Sequence, residues 1–511
     1  MISLISSVSA TEWNLTETDD IQTAIDNAEE GDTIRLSEGT WKVDGIQINK
    51  SITIIGSGNG ADYSSENFSW IIGNNTVGDT YNSNGFIINS DNVILSNIRL
   101  DNFNISLSSN GNNLIIDNVG IGMHSDIKLM EIIGDNVLIN ESRLLSLNNK
   151  LTINNGQIIN GYIGSSYSNI LVIGNNNYVY YNNFYGKDFY FEGNNLSLIL
   201  NNFIDIYSMV LNNSNSKIIG NFLTPYDLYI EGDNVTLNGN TLFINTYDIE
   251  YNNENSTYNV YFNGNNINFN YNKIITDPSV ELFNNGNNNN ADLNYFWNTA
   301  NPNDLVSNSS LKNLNISSWY LYKAIPDTEL KIGVPTNFTI SLVPNIDGIT
   351  HNDSKLKGRT LYGNTLSIFD DNDTELESID PFDLAEKYNI GPFTLLNESS
   401  VIELFLSVDF GSKIGGIEFY LHNLTYQAPE EPETPEEPEK PEEPETPEEP
   451  ETPEEPETPE EPEIPEEPET PEELENVTYD ITTEMPATGN PIMLLLMVLL
   501  SVLGLVGYKK Q

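Results

Sequence analysis

The chain has 511 residues, with 75 Asp and Glu against 21 Lys and Arg and a formal net charge of −54. That balance works against nucleic acid or anionic lipid as a partner, and no Gly-rich phosphate loop, HExxH metal pair or basic face is present. There is no cysteine, so disulfides contribute nothing, and stability must come from burial and hydrogen bonding in a large fold.

Residues 1–10 read as a residual secretory signal segment, with Val8-Ser9-Ala10 supplying small residues at a cleavage site but no basic region ahead of them. Two readings stay open there: a signal whose true start lies upstream, and a short structural strand. Asp19-Asp20-Ile21-Gln22 then predicts a helix N-terminus with Gln22 at the third helical position, and Ile21, Ala24, Ile25 and Ala28 fall on one face. Such a helix can cover the open end of a stacked core.

From Thr11 to Ser310 the body is an irregular repeat. Ser90-Asp91-Asn92-Val93-Ile94-Leu95, Gly111-Asn112-Asn113-Leu114-Ile115-Ile116, Gly134-Asp135-Asn136-Val137-Leu138-Ile139, Gly193-Asn194-Asn195-Leu196, Gly232-Asp233-Asn234-Val235 and Gly264-Asn265-Asn266-Ile267 share one pattern, a turn signal followed by a short apolar strand. Units this short cannot bury a core alone and must stack. Coils of about twenty residues, pairing in register at about 4.8 Å, make a parallel β-helix. Asn suits its corners, because it tolerates the left-handed backbone region and its amide can bond the Asn one coil away. A leucine-rich repeat shares the period but not the spacing of its leucines, and a β-sandwich array fits the short strands less well.

The first coils, Gly31-Asp32-Thr33-Ile34-Arg35-Leu36, Gly39-Thr40-Trp41 and Ser51-Ile52-Thr53-Ile54-Ile55-Gly56, resemble the opening of pectin lyase-like right-handed parallel β-helices. The whole arrangement resembles the adhesin-like surface proteins of methanogenic archaea. In those proteins a run like Ala291-Asp292-Leu293-Asn294-Tyr295-Phe296-Trp297-Asn298 closes the helix, with Trp-Trp-Gly where this chain has Phe296-Trp297-Asn298, and a run like Val334-Pro335-Thr336-Asn337-Phe338 opens an immunoglobulin-like domain. The resemblance implies an all-β fold in five parts: the signal segment 1–10, a β-helix over 11–310, an immunoglobulin-like β-sandwich over 317–427, a disordered Pro/Glu-rich stalk over 428–484, and a tail over 485–511. Residues 317–427 read the same way from their alternation, as in Val401-Ile402-Glu403-Leu404-Phe405-Leu406, and would act as a spacer.

The stalk carries 24 Glu and one Lys between Pro429 and Glu475. Proline at every third residue or so forbids helix and ladder pairing, so the expectation is extended polyproline II, roughly 140 Å if straight. Met485-Pro486-Ala487-Thr488-Gly489 resembles the Leu-Pro-x-Thr-Gly sorting signal of sortase substrates, departing from it at Met485. Ile492 to Tyr508 is apolar and uncharged, long enough as a helix for about 25 Å of bilayer, and Lys509-Lys510 beyond it sets the C-terminus inside. Cleavage between Thr488 and Gly489 and retention as a transmembrane anchor are both open. Either way the bulk of the chain is expected at the cell surface.

The resemblance implies what an enzyme of this kind would use: relatives with this architecture cleave polyuronides with clustered Asp and a His, or with Ca²⁺ ligands and an Arg as base. Over 11–310 there is one His, His124, and three Arg, Arg35, Arg99 and Arg143. Asp91, Asp135 and Asp233 sit at the corner position that Asn fills elsewhere, whereas Asp205, Asp227 and Asp248 lie about one coil apart and are a candidate carbohydrate or Ca²⁺ stack. Eighteen Asn-x-Ser/Thr sequons occur, among them Asn67, Asn104, Asn195 and Asn337 as candidate glycosylation acceptors. Exposed Tyr and Asn are apt for sugars, through ring faces and amides. The expectation is a non-enzymatic, adhesin-like surface protein without cofactor or metal, whose partners are glycans or proteins of another cell or a wall polymer. A polysaccharide lyase or hydrolase is the alternative, and a structural envelope component the second.

Overall fold

The structure, a computed structural model, describes residues 10–425 apart from positions 63, 65–66, 75–82, 123–126, 165–167, 245–257, 277–279, 297–298, 300, 347–352, 357–363, 371, 382, 384–385, 399 and 410–415. The chain divides after Glu430, and the second unit lies wholly outside the described residues. The stalk, Met485 to Gly489, the apolar run and residues 1–9 of the signal segment therefore go undescribed, as do His124, Trp297, Asn298 and His351. No helix among the described residues is long and apolar enough to cross a membrane.

The repeats stack as a parallel β-helix. Each full coil lays down three short strands, because two corners and a longer connection interrupt about twenty residues, and each strand pairs in parallel with its equivalent in the neighbouring coil. The first face is a twelve-stranded sheet that begins at Glu12–Leu15 and ends at Asn268–Asn270. The second face carries Ile98–Asp101, Gly120–Ile121, Arg143–Leu144, Tyr162–Ile163 and Asn183–Tyr185 in succession, and the third Ile105–Ser109, Ile127–Asp135, Ser146–Asn154, Asn169–Asn175 and Asp188–Asn194. Further on, Asn202–Ser214 and Phe222–Ile230 bend without a break from the second face into the third.

Alternation puts every second residue inside, and parallel register places like on like. Ile158, Val179, Leu198, Ile218, Leu237 and Phe269 are successive partners on the first face, all fully buried. Each burial is worth about 1.5–3 kcal/mol. One apolar cluster runs from Ile21 to Ile316. Inside it Phe184 and Phe203 stack at 4.6 Å, with Phe189 edge-on to both.

The corners explain the sequence pattern. Asn92, Asn113, Asn136, Asn195, Asn234 and Asn266 all have φ between 55° and 58°, in the left-handed region. Asn113 donates from Nδ2 to Asn92 Oδ1 at 2.9 Å, Asn136 to Asn113 at 3.0 Å, and Asn266 to Asn234 at 3.0 Å. Asp91, Asp135 and Asp233 are corner residues too, accepting from the Asn112 backbone N–H, Asn154 Nδ2 and the Asn265 backbone N–H. The glycine that opens all but the first of these motifs is required by the stacking: a Cβ on Gly193 would lie 2.0 Å from the carbonyl oxygen of Gly174 in the coil below.

The helix Ile21–Asn27 covers the first coil with Ile21, Ala24, Ile25 and Ala28 buried. Asp20 is its N-cap, accepting from Thr23 N–H at 2.6 Å. Gln22 is the second helical residue, not the third; instead of turning back to the cap it accepts from the Gln47 N–H at 2.7 Å and donates to the Gln47 carbonyl at 3.2 Å. At the other end Ala291 is buried and Asn294–Phe296 adds a last strand to the second face.

Beyond Ile316 the chain turns antiparallel. Trp319–Pro326 pairs in parallel with Asn294–Phe296 and antiparallel with Thr336–Pro344, which pairs with Tyr388–Phe393. A second antiparallel sheet holds Glu375–Ile379, Asn364–Asp370, Val401–Asp409 and Gly416–Thr425. This region packs on the β-helix. Ile204, Phe222, Phe243, Tyr271 and Ile275, outward residues of the β-helix, share one apolar cluster with Tyr320, Phe338, Leu356 and Leu366. In that seam Lys273 is buried, its Nζ donating to the Leu356 carbonyl at 2.9 Å with Asp383 Oδ1 at 3.9 Å. Burial pushes the Lys273 pKa down, and Asp383 opposes the shift.

Candidate functional site

The third face carries the most organised outward chemistry. Along its middle, Leu171, Tyr190, Val210, Tyr229, Tyr261 and Phe283 are successive register partners, all half-buried. One flank reads Asn169, Asp188, Ser208, Asp227, Asn259 and Glu281 in the same coils. The other begins Ile173, Glu192 and Asn212, and continues with Asn263 donating to Glu231 at 2.8 Å and Asn285 to Asn263 at 2.7 Å. An apolar stripe between two polar columns thus runs parallel to the helix axis.

The stripe's aromatic rings are turned on edge. Tyr229 and Tyr261 stack at 4.5 Å and 4°, and Tyr261 and Phe283 at 4.7 Å and 17°. That spacing is the coil repeat itself, so the ring faces are occupied by one another and solvent meets edges and hydroxyls. The sequence expectation that Tyr faces would stack on sugar rings therefore does not hold within this column. What it presents instead is a pair of hydrogen bonds: Tyr229 Oη donates to Asp227 Oδ2 at 3.5 Å, and Asn259 Nδ2 donates to Asp227 Oδ1 at 2.8 Å. Desolvation and the Asp227 charge push the Tyr229 pKa up to about 12, and the same causes raise Tyr261. Both phenols stay protonated at neutral pH as donors, between carboxylates that accept.

No protein-family model and no curated protein matches this chain. A solved chain described as ORF18 of Geobacillus virus E2 is similar at 12% identity, covering 82% of this chain and 79% of its own length with a TM-score of 0.24. Superposition that loose carries no argument, and the β-helix rests on the strand register described above.

Asp205 and Asp227 do not stack. Asp227 has Ser208 below it and Asn259 above. Asp205 lies three residues before Ser208 on the same strand and so is not in that column, and Asp248 lies outside the described residues. Among the described residues no group of three or more His, Cys, Asp or Glu converges as metal ligands would.

The three arginines take separate places. Arg35 pairs with Glu12 at 2.9 Å. Arg99 is buried, donating to the carbonyls of Gly60 and Asp62 with its guanidinium 3.7 Å from the Phe68 ring centroid, while Trp70 Nε1 donates to buried Asp101 at 2.8 Å. Arg143 lies 4.1 Å from the Tyr162 ring, which stacks on Tyr185 at 4.6 Å.

Of the glycosylation candidates, Asn67 and Asn337 are exposed and Asn104 is half-buried. Asn195 belongs to the corner ladder and donates Nδ2 to Asn176 Oδ1 at 2.8 Å, so a glycan there would compete with the ladder. The flank columns were missed in the sequence because their members differ from coil to coil, Asn, Asp, Ser or Glu, and become a line only once register is known.

Proposed function

We propose that this is a cell-surface, adhesin-like protein whose third face holds a neutral or amine-bearing polysaccharide along the axis of the rod. The observation that carries the reading is the run of Asp188, Asp227 and Glu281 on one side of the apolar stripe and Glu192 and Glu231 on the other. Carboxylates and amides repeated at about 4.8 Å match a ligand that is itself a repeat of hydroxyl donors. Their sign disfavours a polyuronide. The apolar stripe between them excludes water beneath the chain and raises the worth of each hydrogen bond.

The same proposal takes the helix as right-handed, the rule for parallel crossovers, and residues 317–427 as an immunoglobulin-like module. It takes the Pro/Glu run as a stalk and the apolar C-terminus as an anchor, cleaved or retained, that keeps the bulk of the chain outside. No cofactor is needed for such a role.

The test is the full chain over an array of neutral, amine-bearing and pectic polysaccharides, with released reducing ends and unsaturated products assayed in the same wells. Binding to neutral or cationic polymers without product is expected. Product from any polymer replaces the reading with a lyase or hydrolase, and silence throughout replaces it with a structural envelope role.

A further inference from the structure

The two flanks of the third face change together from coil to coil. Where the middle column holds Tyr190 or Tyr229, both flanks are carboxylates, Asp188 with Glu192 and Asp227 with Glu231. Where it holds Val210 or Tyr261, both are neutral, Ser208 with Asn212 and Asn259 with Asn263. The next coil restores a carboxylate at Glu281, on the same strand as Phe283. Charge therefore recurs on every second coil, about 9.6 Å apart.

Repulsion between like charges on paired strands accounts for the gap within one column. It does not set the two columns in phase, because a staggered arrangement would separate the charges as well. In phase, the columns make two kinds of coil that alternate along the rod. The neutral coils also hold the charged ones in place: Asn259 Nδ2 donates to Asp227 Oδ1 and Asn263 Nδ2 to Glu231 Oε1, each at 2.8 Å. Asp188 and Asp227 are half-buried, and Glu192 and Glu231 are exposed, so both flanks can be reached from solvent.

We propose, resting on the polysaccharide reading above, that this face selects a disaccharide repeat: a β-1,4-linked chain in which an amino sugar alternates with a neutral N-acylated one. Extended chains of this linkage advance by close to one coil spacing per sugar, and each sugar is turned over relative to the last. Amino sugars then fall on the charged coils, with their ammonium groups along Asp188, Asp227 and Glu281 as charge-assisted hydrogen bonds. Their hydroxymethyl groups face the opposite flank, where Glu192 and Glu231 accept. The acylamino sugars between them turn their amides towards that same flank on the neutral coils, where Asn212 and Asn263 stand.

The test uses the full chain and three β-1,4-linked hexasaccharides: glucosamine alternating with N-acetylglucosamine, glucosamine throughout, and N-acetylglucosamine throughout. At about 0.15 M salt, where long-range attraction to an acidic chain is screened, the alternating hexamer should bind at least as tightly as the more highly charged all-amino one. It should bind about tenfold tighter than the all-acetyl one. The variant Ser208→Asp, Asn212→Glu, Asp227→Ser, Glu231→Asn keeps the net charge but moves one charged pair by one coil. It should lower affinity for the alternating hexamer about tenfold and leave that for the all-amino hexamer nearly unchanged. Should the variant's Tm fall, the ranking by the unaltered chain decides alone. Affinity that simply rises with the number of amines overturns the two-sugar repeat and leaves the polysaccharide reading standing, as does binding to another polymer of the array but to no hexamer. Silence from the hexamers and the array alike overturns both.

Discussion

Asn182, Asn201, Asn221, Asn240, Asn272 and Asn294 form a column inside the β-helix that solvent does not reach. Each accepts, through Oδ1, the backbone N–H of the residue one coil below, as Asn221 does from Asn201 at 2.8 Å, and all but Asn294, which ends the column on the Phe269 and Ala291 carbonyls, donate Nδ2 to the next amide, as Asn221 does to Asn240 at 3.0 Å. Asn221 also donates to the Leu198 carbonyl at 2.7 Å. The tight corner leaves these backbone groups without ladder partners, and the buried amides supply them. Asn221→Leu should therefore cost about 1–3 kcal/mol for each orphaned backbone group. Asn195→Ala, in the solvent-facing ladder, should cost about 1–2 kcal/mol through its left-handed backbone alone. Thermal unfolding of both variants checks this order; a smaller loss for Asn221→Leu would contradict it. The outer ladder was legible in the sequence because Gly-Asp-Asn or Gly-Asn-Asn precedes half of the first-face strands, among them Ile115–Asp117, Leu138–Asn140 and Thr236–Asn238. The inner ladder was not, since Asn182, Asn201 and Asn221 look like any other Asn in a chain rich in them, and only the register shows that they share a column.

At the scale of elements, the capping helix and the coil repeat follow from patterning, while what each face does depends on pairing. Ile21, Ala24, Ile25 and Ala28 gave the helix its buried side, but Gln22 answers to Gln47, twenty-five residues away, and no local rule would assign it that role. Likewise Asp227 joined Asp205 in the sequence by spacing, but its register partner in the structure is Ser208. The tyrosines of the faces make a pH prediction. Tyr162, Tyr178, Tyr229, Tyr261, Tyr295 and Tyr322 all have pKa values raised above 10.0, chiefly by burial. The unfolded chain releases these phenolic protons near pH 10 and the folded chain holds them, so their contribution to stability is present below pH 10 and lost as pH rises past it. Lys273 runs the other way, its lowered pKa adding stability as pH approaches 10.5, but it is one group against six. Tm should thus be level through neutral pH and fall steeply above about pH 10, with tyrosinate absorbance appearing at the unfolding transition; a rise in Tm there would contradict the assignment.

Over the whole molecule, the described residues form a rod capped at one end by Ile21–Asn27 and clasped near the other by the antiparallel sheets, which share a core with the outer surface of the last coils. Lys273 lies in that seam, so Lys273→Met, which keeps its length and removes a buried charge, should leave Tm unchanged or raised; a fall of several degrees would show that the contacts to Leu356 and Asp383 hold the two parts together. The parallel β-helix was readable from composition and repeat length. The functional face was not, because its chemistry lies across coils and not along them.

The central claim is that the third face holds a polysaccharide, and the most direct measurement is the affinity of the full chain and of its Asp188→Ala, Asp227→Ala double variant for the polymer that binds best. Two charged acceptors worth about 1.5–3 kcal/mol each predict at least a tenfold loss, with Tm unchanged because both residues are partly exposed. Equal affinity in the two proteins would place the ligand elsewhere and contradict the account.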